Sequence, residues 1–308
     1  MGREFHQTAW DEPLQAGWQA LLRLAVCEDL GEAGDWTTRS LVPEDAVGRA
    51  AVVARQAGVV AGLPAVEMTA AAIEPRLRWS PECEDGRSVA AGDRLGIVAG
   101  PARGLLSAER LVLNVLGRLS GIATLTRQYV DAVAGTSSRI YDTRKTTPGW
   151  RRLEKYAVRC GGGWNHRGGL FEAVLIKDNH LAFGAEGRGS ARYTPAEAVA
   201  LARRYVEEHA ADPAGREMIV EVEVDTLEQL DAVLPVGPDL VLLDNMPPEM
   251  LRAAVARRDA VNRTIELEAS GGVNLDSVRR IAESGVERIS VGALTHSAVS
   301  LDIALDWL

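Results

Sequence analysis

The sequence predicts an α/β protein in two parts, a small α/β domain followed by a βα barrel of about six strands. Three observations carry this. Beyond Arg139, short aliphatic or β-branched runs alternate with helical stretches, the pattern of parallel βα units. Nearly every run finishes on a polar residue or glycine: Lys145, Lys177, Glu223 or Asp225, Asp244, Ser270 and Gly292. At the carboxyl ends of barrel strands, such positions surround the mouth where these folds build their sites. Finally, 308 residues at 46% hydrophobic can bury two cores, or one barrel with an appendage.

Taken in order, a helix is expected over residues 17–29, with Trp18, Leu21, Leu22, Ala25 and Val26 on one face and Gly31 as its stop. Turn-punctuated strands follow at 49–54, 58–61, 77–80 and 94–99, with a helix over 64–73 between them. From Leu105 the pattern becomes a long helix, because Leu111, Val115, Leu119 and Ile122 recur at helical spacing. Gly121 within it marks a break or a close packing contact. Barrel strands are expected at 139–143, 173–176, 218–224, 240–243, 265–269 and 288–291. Helices are expected at 194–209, 227–233, 248–258, 275–284 and 297–308.

The net charge of −9 argues against a nucleic-acid or anionic-membrane partner. Cys27, Cys83 and Cys160 are scattered without CxxC spacing, so neither a disulfide framework nor a zinc site follows, and a reducing cytoplasm is the expected setting. The first residues are polar and no later run has the length of a membrane span. Against this acidic background, residues 142–180 collect Arg144, Lys145, Arg151, Arg152, Lys155, Arg159, Arg167 and Lys177. Clustered cations in an acidic protein select and steer anions. Arg151, Arg152 and Lys155 read as a solvated helix face. Arg144, Lys145 and Lys177 each follow an apolar run, where a buried strand delivers its last side chains to a rim.

Glycine-bearing strand ends stand at Ser270-Gly271-Gly272 and at Gly292-Ala293, the former followed by Asn274 as a helix N-cap. Glycines at strand-to-helix turns let backbone N–H groups approach a phosphate. Taken alone, Ser-Gly-Gly reads equally well as a simple tight turn. Glu223 and Asp244 also lie at strand ends, where a buried carboxylate needs a partner. Lys177, Mg²⁺, ribose hydroxyls and structural salt bridges all qualify. Glu221 and Asp225 share the face of Glu223, so periodicity does not single it out.

The stretches DTRKTTPG, EKYAVRCGGGWNHR, LIKDNH, VEVEVD, LLDNM, EASGGV and SVGALTHSA resemble the quinolinate phosphoribosyltransferase family. So do EDLGEAGDWTT, GVVAGLP and ERLVLNVLGRLSGIAT nearer the start, and the resemblance spans nearly the whole chain. It implies an N-terminal α/β sandwich (1–117), an open, mostly parallel α/β barrel (118–295), and a C-terminal helix (296–308) returning to the first domain. It also implies a homodimer or an assembly of dimers, with Arg110 crossing into the partner's site. In that likeness Arg144, Lys145, His166, Arg167 and Lys177 hold the two carboxylates of quinolinate, and Thr143 offers a backbone contact. Glu223 and Asp244 lie near the ribose hydroxyls and Mg²⁺ of phosphoribosyl pyrophosphate. Ser270, Gly271, Gly272, Gly292 and Ala293 form the 5′-phosphate loops. Lys145, Lys177, Glu223 and Asp244 are the catalytic candidates. The reaction implied joins quinolinate to phosphoribosyl pyrophosphate and releases pyrophosphate and CO₂, giving nicotinate mononucleotide. Any metal should be Mg²⁺ arriving with substrate, since no His/Cys cluster exists to hold a transition metal.

Other readings stay open. A Schiff-base lysine, as in aldolases, leaves Arg144, Lys145 and Arg167 unexplained. The same scaffold could serve another heteroaromatic acid. A non-catalytic ligand sensor would be expected to lack a pocket cation or a phosphate glycine, and none is missing. Trp164 either packs outward or narrows the entrance. Residues 184–190 are expected to form a loop, and His180 to orient the segment after Lys177.

Overall fold

The computed structural model describes residues 3–184, 192–209 and 218–308. They divide into two compact units. One, the amino-terminal unit, comprises Gln7–Gln128, Lys145–Gly163 and Ala293–Leu308; the other, the barrel unit, comprises Met1–His6, Tyr129–Arg144 and Trp164–Gly292.

The amino-terminal unit begins with α1 (Glu12–Leu30), started by Asp11, whose side chain accepts from the Leu14 amide, and stopped by Gly31 at φ 51°. A short α2 (Trp36–Leu41) is capped by Asp35 in the same way. Next come β1 (Val47–Ala54), β2 (Gly58–Val59), α3 (Leu63–Ile73), β3 (Arg78–Pro81), β4 (Ser88–Val89), β5 (Arg94–Pro101) and the 31-residue α4 (Ala102–Ala132). Strands β1, β3 and β5 belong to one antiparallel sheet, and β2 pairs with β4 alone. The core joins Val52, Leu63, Val66, Leu95, Leu105 and Leu116. The amphipathic α5 (Arg151–Cys160) completes the helices before the tail. Lys155, read as part of a solvated helix face, is only 2% exposed; Arg151 is partly exposed and Arg152 exposed.

The expected C-terminal helix over 296–308 does not form. Only α11 (Ala293–His296) is helical, and Ile303–Trp307 is a strand, β12, antiparallel to β1 from Ala50↔Trp307 to Ala54↔Ile303. The sheet order is therefore β12-β1-β5-β3. The physical reason is a period of two: Leu301, Ile303 and Leu305 alternate with Asp302, Ala304 and Asp306, and all three apolar residues pack into the core. Gly121 proves to be a close packing contact, not a break. A Cβ there would lie 2.1 Å from the Val299 carbonyl oxygen, while α4 runs through it uninterrupted.

The barrel unit is built on six parallel strands: β6 (Arg139–Tyr141), β7 (Ala173–Ile176), β8 (Ile219–Val224), β9 (Leu240–Asp244), β10 (Glu266–Ser270) and β11 (Arg288–Ser290). Their order is β6-β11-β10-β9-β8-β7, and among the described residues β6 and β7 are not paired with each other, so the barrel is open. Helices α6 (Asp178–Gly184), α7 (Pro195–His209), α8 (Leu227–Val233), α9 (Pro248–Val261) and α10 (Leu275–Ala282) intervene between strands. Beyond Gly184, the loop expected over 184–190 lies outside the described residues.

Residues 3–6, read from the sequence as the start of the first domain, belong to this unit, on the side where the strands begin. Arg288, at the start of β11, is fully buried and would be an uncompensated charge alone. Glu4 (3.0 Å) and Glu266 (2.5 Å) neutralise it, the Arg3 carbonyl accepts from it, and it lies over the rings of Tyr141 and Phe5. Trp164 packs outward onto this end. Its amide donates to the Ile140 carbonyl at 2.8 Å, and its ring lies 4.7 Å from the Arg139 guanidinium.

Candidate active site

Polar side chains of the barrel unit gather where its parallel strands end. Lys177 follows β7, and its amide donates to His180 Nδ1 at 2.9 Å, so His180 does orient the turn into α6. The Lys177 ammonium pairs with Glu223 on the neighbouring β8. Burial raises the Glu223 carboxyl above the ordinary carboxylate range, Lys177 opposes that, and the charges of Asp244 and Asp178 add to it. One lysine and three carboxylates thus share a local field.

Asp244 ends β9 and accepts from the side-chain amide of Asn245 at 2.8 Å. Asn245 is the one non-glycine residue with positive φ (53°) among the described residues, and its own amide donates to the Ser270 carbonyl at 2.9 Å. Asparagine tolerates the left-handed region better than most side chains. This arrangement clips the ends of β9 and β10 together. At Gly271 (φ 95°) a Cβ would fall 2.2 Å from Asn245 Oδ1, so only glycine fits. Gly272 (φ 60°) faces open space. Asn274 then caps α10 through a reciprocal capping box with Ser277. The turn from Ser270 to Asn274 leads directly into a helix amino terminus, the environment that favours a phosphate. Gly292 follows β11, and Ala293 opens α11 in the amino-terminal unit.

The cationic side is organised by Asp142, one residue beyond β6 and fully buried. Its carboxylate accepts from the His166 amide at 2.9 Å and from the Asn165 side chain at 2.7 Å. It thereby joins the strand end that carries Thr143 and Arg144 to the segment that carries His166 and Arg167. Arg167 is buried and donates to the Ala173 carbonyl at 2.8 Å. Burial, and then the like charge of Arg144, push its guanidinium below the ordinary value, which places the two arginines within one field. Arg144 is exposed and Thr143 partly so.

His166 is placed differently from the other candidates. It is 6% exposed, and its Nδ1 accepts from the Arg167 amide at 2.8 Å. Its Nε2 faces Glu221 at 3.1 Å and Glu268 at 3.6 Å, and Phe5 stacks on the ring. With Nδ1 accepting, the ring proton sits on Nε2 and points at two buried carboxylates. Both ring nitrogens thus face protein groups inside the barrel, and Nδ1 is bound by the Arg167 amide. Burial first, then the Glu221 charge, push the Glu268 carboxyl up to about 7, with His166 and Arg288 opposing.

Lys145 and Arg110 belong to the amino-terminal unit, and both are exposed. Sequence reasoning missed Asp142, Asn245 and the interior pair Glu221 and Glu268. Asp142 stands inside the DTRK stretch and Asn245 directly after Asp244, so proximity to a motif was the available signal. For Glu221 the signal was the strand face it shares with Glu223, and for Glu268 there was none.

Among the described residues, His166, Glu221 and Glu268 form a group whose donor atoms lie within 4.8 Å of one another. The Glu221 and Glu268 carboxylate oxygens are buried without a hydrogen-bond partner, and His166 Nε2 lies within ion-pair distance of both. Glu223 and Asp244 stand at the ends of neighbouring strands and are hard oxygen donors of the kind Mg²⁺ takes. No helix among the described residues is long and apolar enough to cross a membrane.

Both halves of the chain match one protein family. Residues 35–120 match the family model described as quinolinate phosphoribosyl transferase, N-terminal domain, and residues 122–306 match its C-terminal domain. Over 287 residues the chain is 46% identical to a nicotinate-nucleotide pyrophosphorylase (carboxylating) of Mycobacterium leprae, covering 92% of this chain and 95% of that one. A probable enzyme of the same name from Bacillus subtilis is 40% identical, with 93% and 92% covered. The solved nicotinate-nucleotide pyrophosphorylase of Francisella tularensis superposes with a TM-score of 0.86 at 31% identity, covering 99% of this chain and all of that one.

Proposed function

The chain belongs to the quinolinate phosphoribosyltransferase family, and from that premise we propose how its residues carry the reaction. It is a pentosyltransferase that joins quinolinate to phosphoribosyl pyrophosphate and releases pyrophosphate and CO₂, giving nicotinate mononucleotide. The observation that carries the residue assignments is the meeting, at one set of strand ends, of a cationic pair, a lysine–carboxylate cluster and a glycine turn.

Arg144 and Arg167 lie in one field and suit the two carboxylates of quinolinate. Lys145, the next residue after Arg144, adds a third cation, and Thr143 offers its backbone. His166 holds Arg167 in place. The turn Ser270-Gly271-Gly272, with Gly292 and Ala293, receives the 5′-phosphate. Glu223 and Asp244 receive the ribose hydroxyls and would hold Mg²⁺. That ion supplies charge neutralisation for the pyrophosphate when bound.

The chemistry then requires orientation and electrostatics, with no covalent nucleophile from the protein. The pyridine nitrogen forms its bond to ribose C1 as the bond to pyrophosphate breaks, and the electron pair leaves with pyrophosphate. The quaternised nitrogen makes the ring an electron sink, so the adjacent carboxylate departs as CO₂ and a proton takes its place. Lys177 is held by Glu223 beside this centre and offers its charge to the departing groups. Fixing two anions against each other on a rigid rim is itself a large part of the acceleration. The proposal includes a homodimer in which Arg110 enters the partner's site, and a cytoplasmic setting consistent with three unpaired cysteines.

A mass-spectrometric assay with phosphoribosyl pyrophosphate, Mg²⁺ and either quinolinate or nicotinate tests the reading. Nicotinate mononucleotide and CO₂ from quinolinate alone are expected. Product from nicotinate but not from quinolinate would overturn the two-carboxylate pocket. No product from either would favour another heteroaromatic acid.

A further inference from the structure

Within the amino-terminal unit, the backbone of Lys145 is held by a closed ring of polar contacts. The Lys145 carbonyl accepts from Thr295 Oγ1 at 2.7 Å. The Thr295 carbonyl accepts from the Arg118 guanidinium, which also donates to the Ala298 carbonyl at 3.0 Å. Arg118 pairs with Glu154 at 2.7 Å. Glu154 closes the ring, its Oε1 accepting from Thr147 Oγ1 at 3.0 Å and its Oε2 from the Thr147 amide at 3.1 Å.

The three residues from Lys145 to Thr147 are thus gripped at both ends, by α11 on one side and by α4 and α5 on the other. Glu154 and Thr295 are fully buried. A buried carboxylate is tolerated because three donors converge on it, and a network this complete fixes one geometry. The glycines of α4 let the tail approach closely enough for Arg118 to reach it: the Leu301 amide donates to the Gly117 carbonyl at 2.9 Å, and Gly121 lies under the Val299 carbonyl. Thr295 also stands two residues beyond Ala293, which opens the same short helix.

We propose that Thr295, Arg118 and Glu154 are positioning residues that fix Lys145 for the reaction and tie it to the short helix that Ala293 opens. This rests on the assignment of Lys145 to the quinolinate pocket. A ring that merely braced the fold would contribute stability without discriminating between substrates.

The test compares wild type, Thr295→Val and Thr295→Ser for kcat and for the KM of each substrate, together with the thermal midpoint. Val removes the hydroxyl at nearly constant volume, and Ser restores it. The expected result is a fall in kcat/KM for quinolinate of about 10–100-fold in the Val variant, the scale of a misplaced reacting partner, with recovery in the Ser variant and a midpoint near wild type. Calorimetric binding of quinolinate then closes a cycle: Thr295→Val should weaken binding in wild type but add nothing once Lys145→Ala is present. Wild-type kinetics in the Val variant would overturn the proposal. So would a loss that merely follows the thermal midpoint, or equal weakening in the Lys145→Ala background. Should Thr295→Val not fold, Glu154→Gln is judged by the same criteria. A wild-type protein that makes no nicotinate mononucleotide would instead sink the functional reading, which the assay of wild type alone decides.

Discussion

Two clusters of charge lie within one turn of pleat along the same barrel strands, and they do different work. At the rim, Glu223 of β8 is partly exposed, pairs with Lys177 and shares its field with Asp244 and Asp178. Two residues back, Glu221 has no exposure and joins Glu268 around His166. The chemistry of the side chains is identical. The difference is depth: a carboxylate at the rim is open to solvent and solutes, whereas one in the interior meets only the groups that the fold supplies. Alternate positions on one strand face therefore divide into an accessible carboxylate and an enclosed one.

Four perturbations sharpen or break that contrast. The largest effect is expected from chelation. Removing Mg²⁺ with EDTA should abolish turnover and leave the thermal midpoint unchanged, with recovery on adding Mg²⁺ back; a lowered midpoint would mean a structural metal instead.

Lys177→Ala should come next, lowering kcat/KM on the order of 10³-fold, the scale of one lost electrostatic partner in a site. Its side chain is 41% exposed, so urea unfolding should barely change. An equal loss of stability would place Lys177 with the supporting groups.

His166→Ala should reverse the pattern. It removes the ring that faces two buried carboxylates and the acceptor of the Arg167 amide, and urea unfolding should report about 1–3 kcal/mol of destabilisation, the cost of a buried polar group left unsatisfied. Wild-type stability with lost quinolinate binding would return His166 to direct substrate contact.

The smallest effect concerns pH. Glu268 is raised from 4.5 to about 7 in the fold. Between those values the native state binds the proton that the unfolded chain has released, so stability falls as pH rises through this window. The urea midpoint of Glu268→Gln should decline less than that of wild type from pH 4.5 to 8. Parallel declines would mean that Glu268 is not the titrating group.

Much of this was legible before any coordinates. The six strands, the helices α8 and α10, the Asn274 cap and the Gly31 stop all follow from periodicity and capping chemistry, which act over a few residues. The rim positions of Lys177, Glu223, Asp244 and Ser270 follow from where apolar runs end. Lys155 was misread because its helix neighbours are charged, and charge alone does not say which side of a helix meets the protein. The tail was misread as a helix because its alternation is short and its pairing partner, β1, lies some 250 residues away in the chain.

By itself, then, the sequence determined the element order, the parallel barrel, the cationic stretch and the glycine turns, since each is written in local spacing and composition. Only the tertiary structure decided which carboxylate of VEVEVD faces the interior, that His166 spends both ring nitrogens on the fold, that Asn245 takes a left-handed turn beside Gly271, and that Thr295 holds the Lys145 backbone. Each of these depends on groups far apart in the chain being brought within hydrogen-bond reach. A linear pattern records which residues share a face; depth and partnership arise only when the faces close on one another.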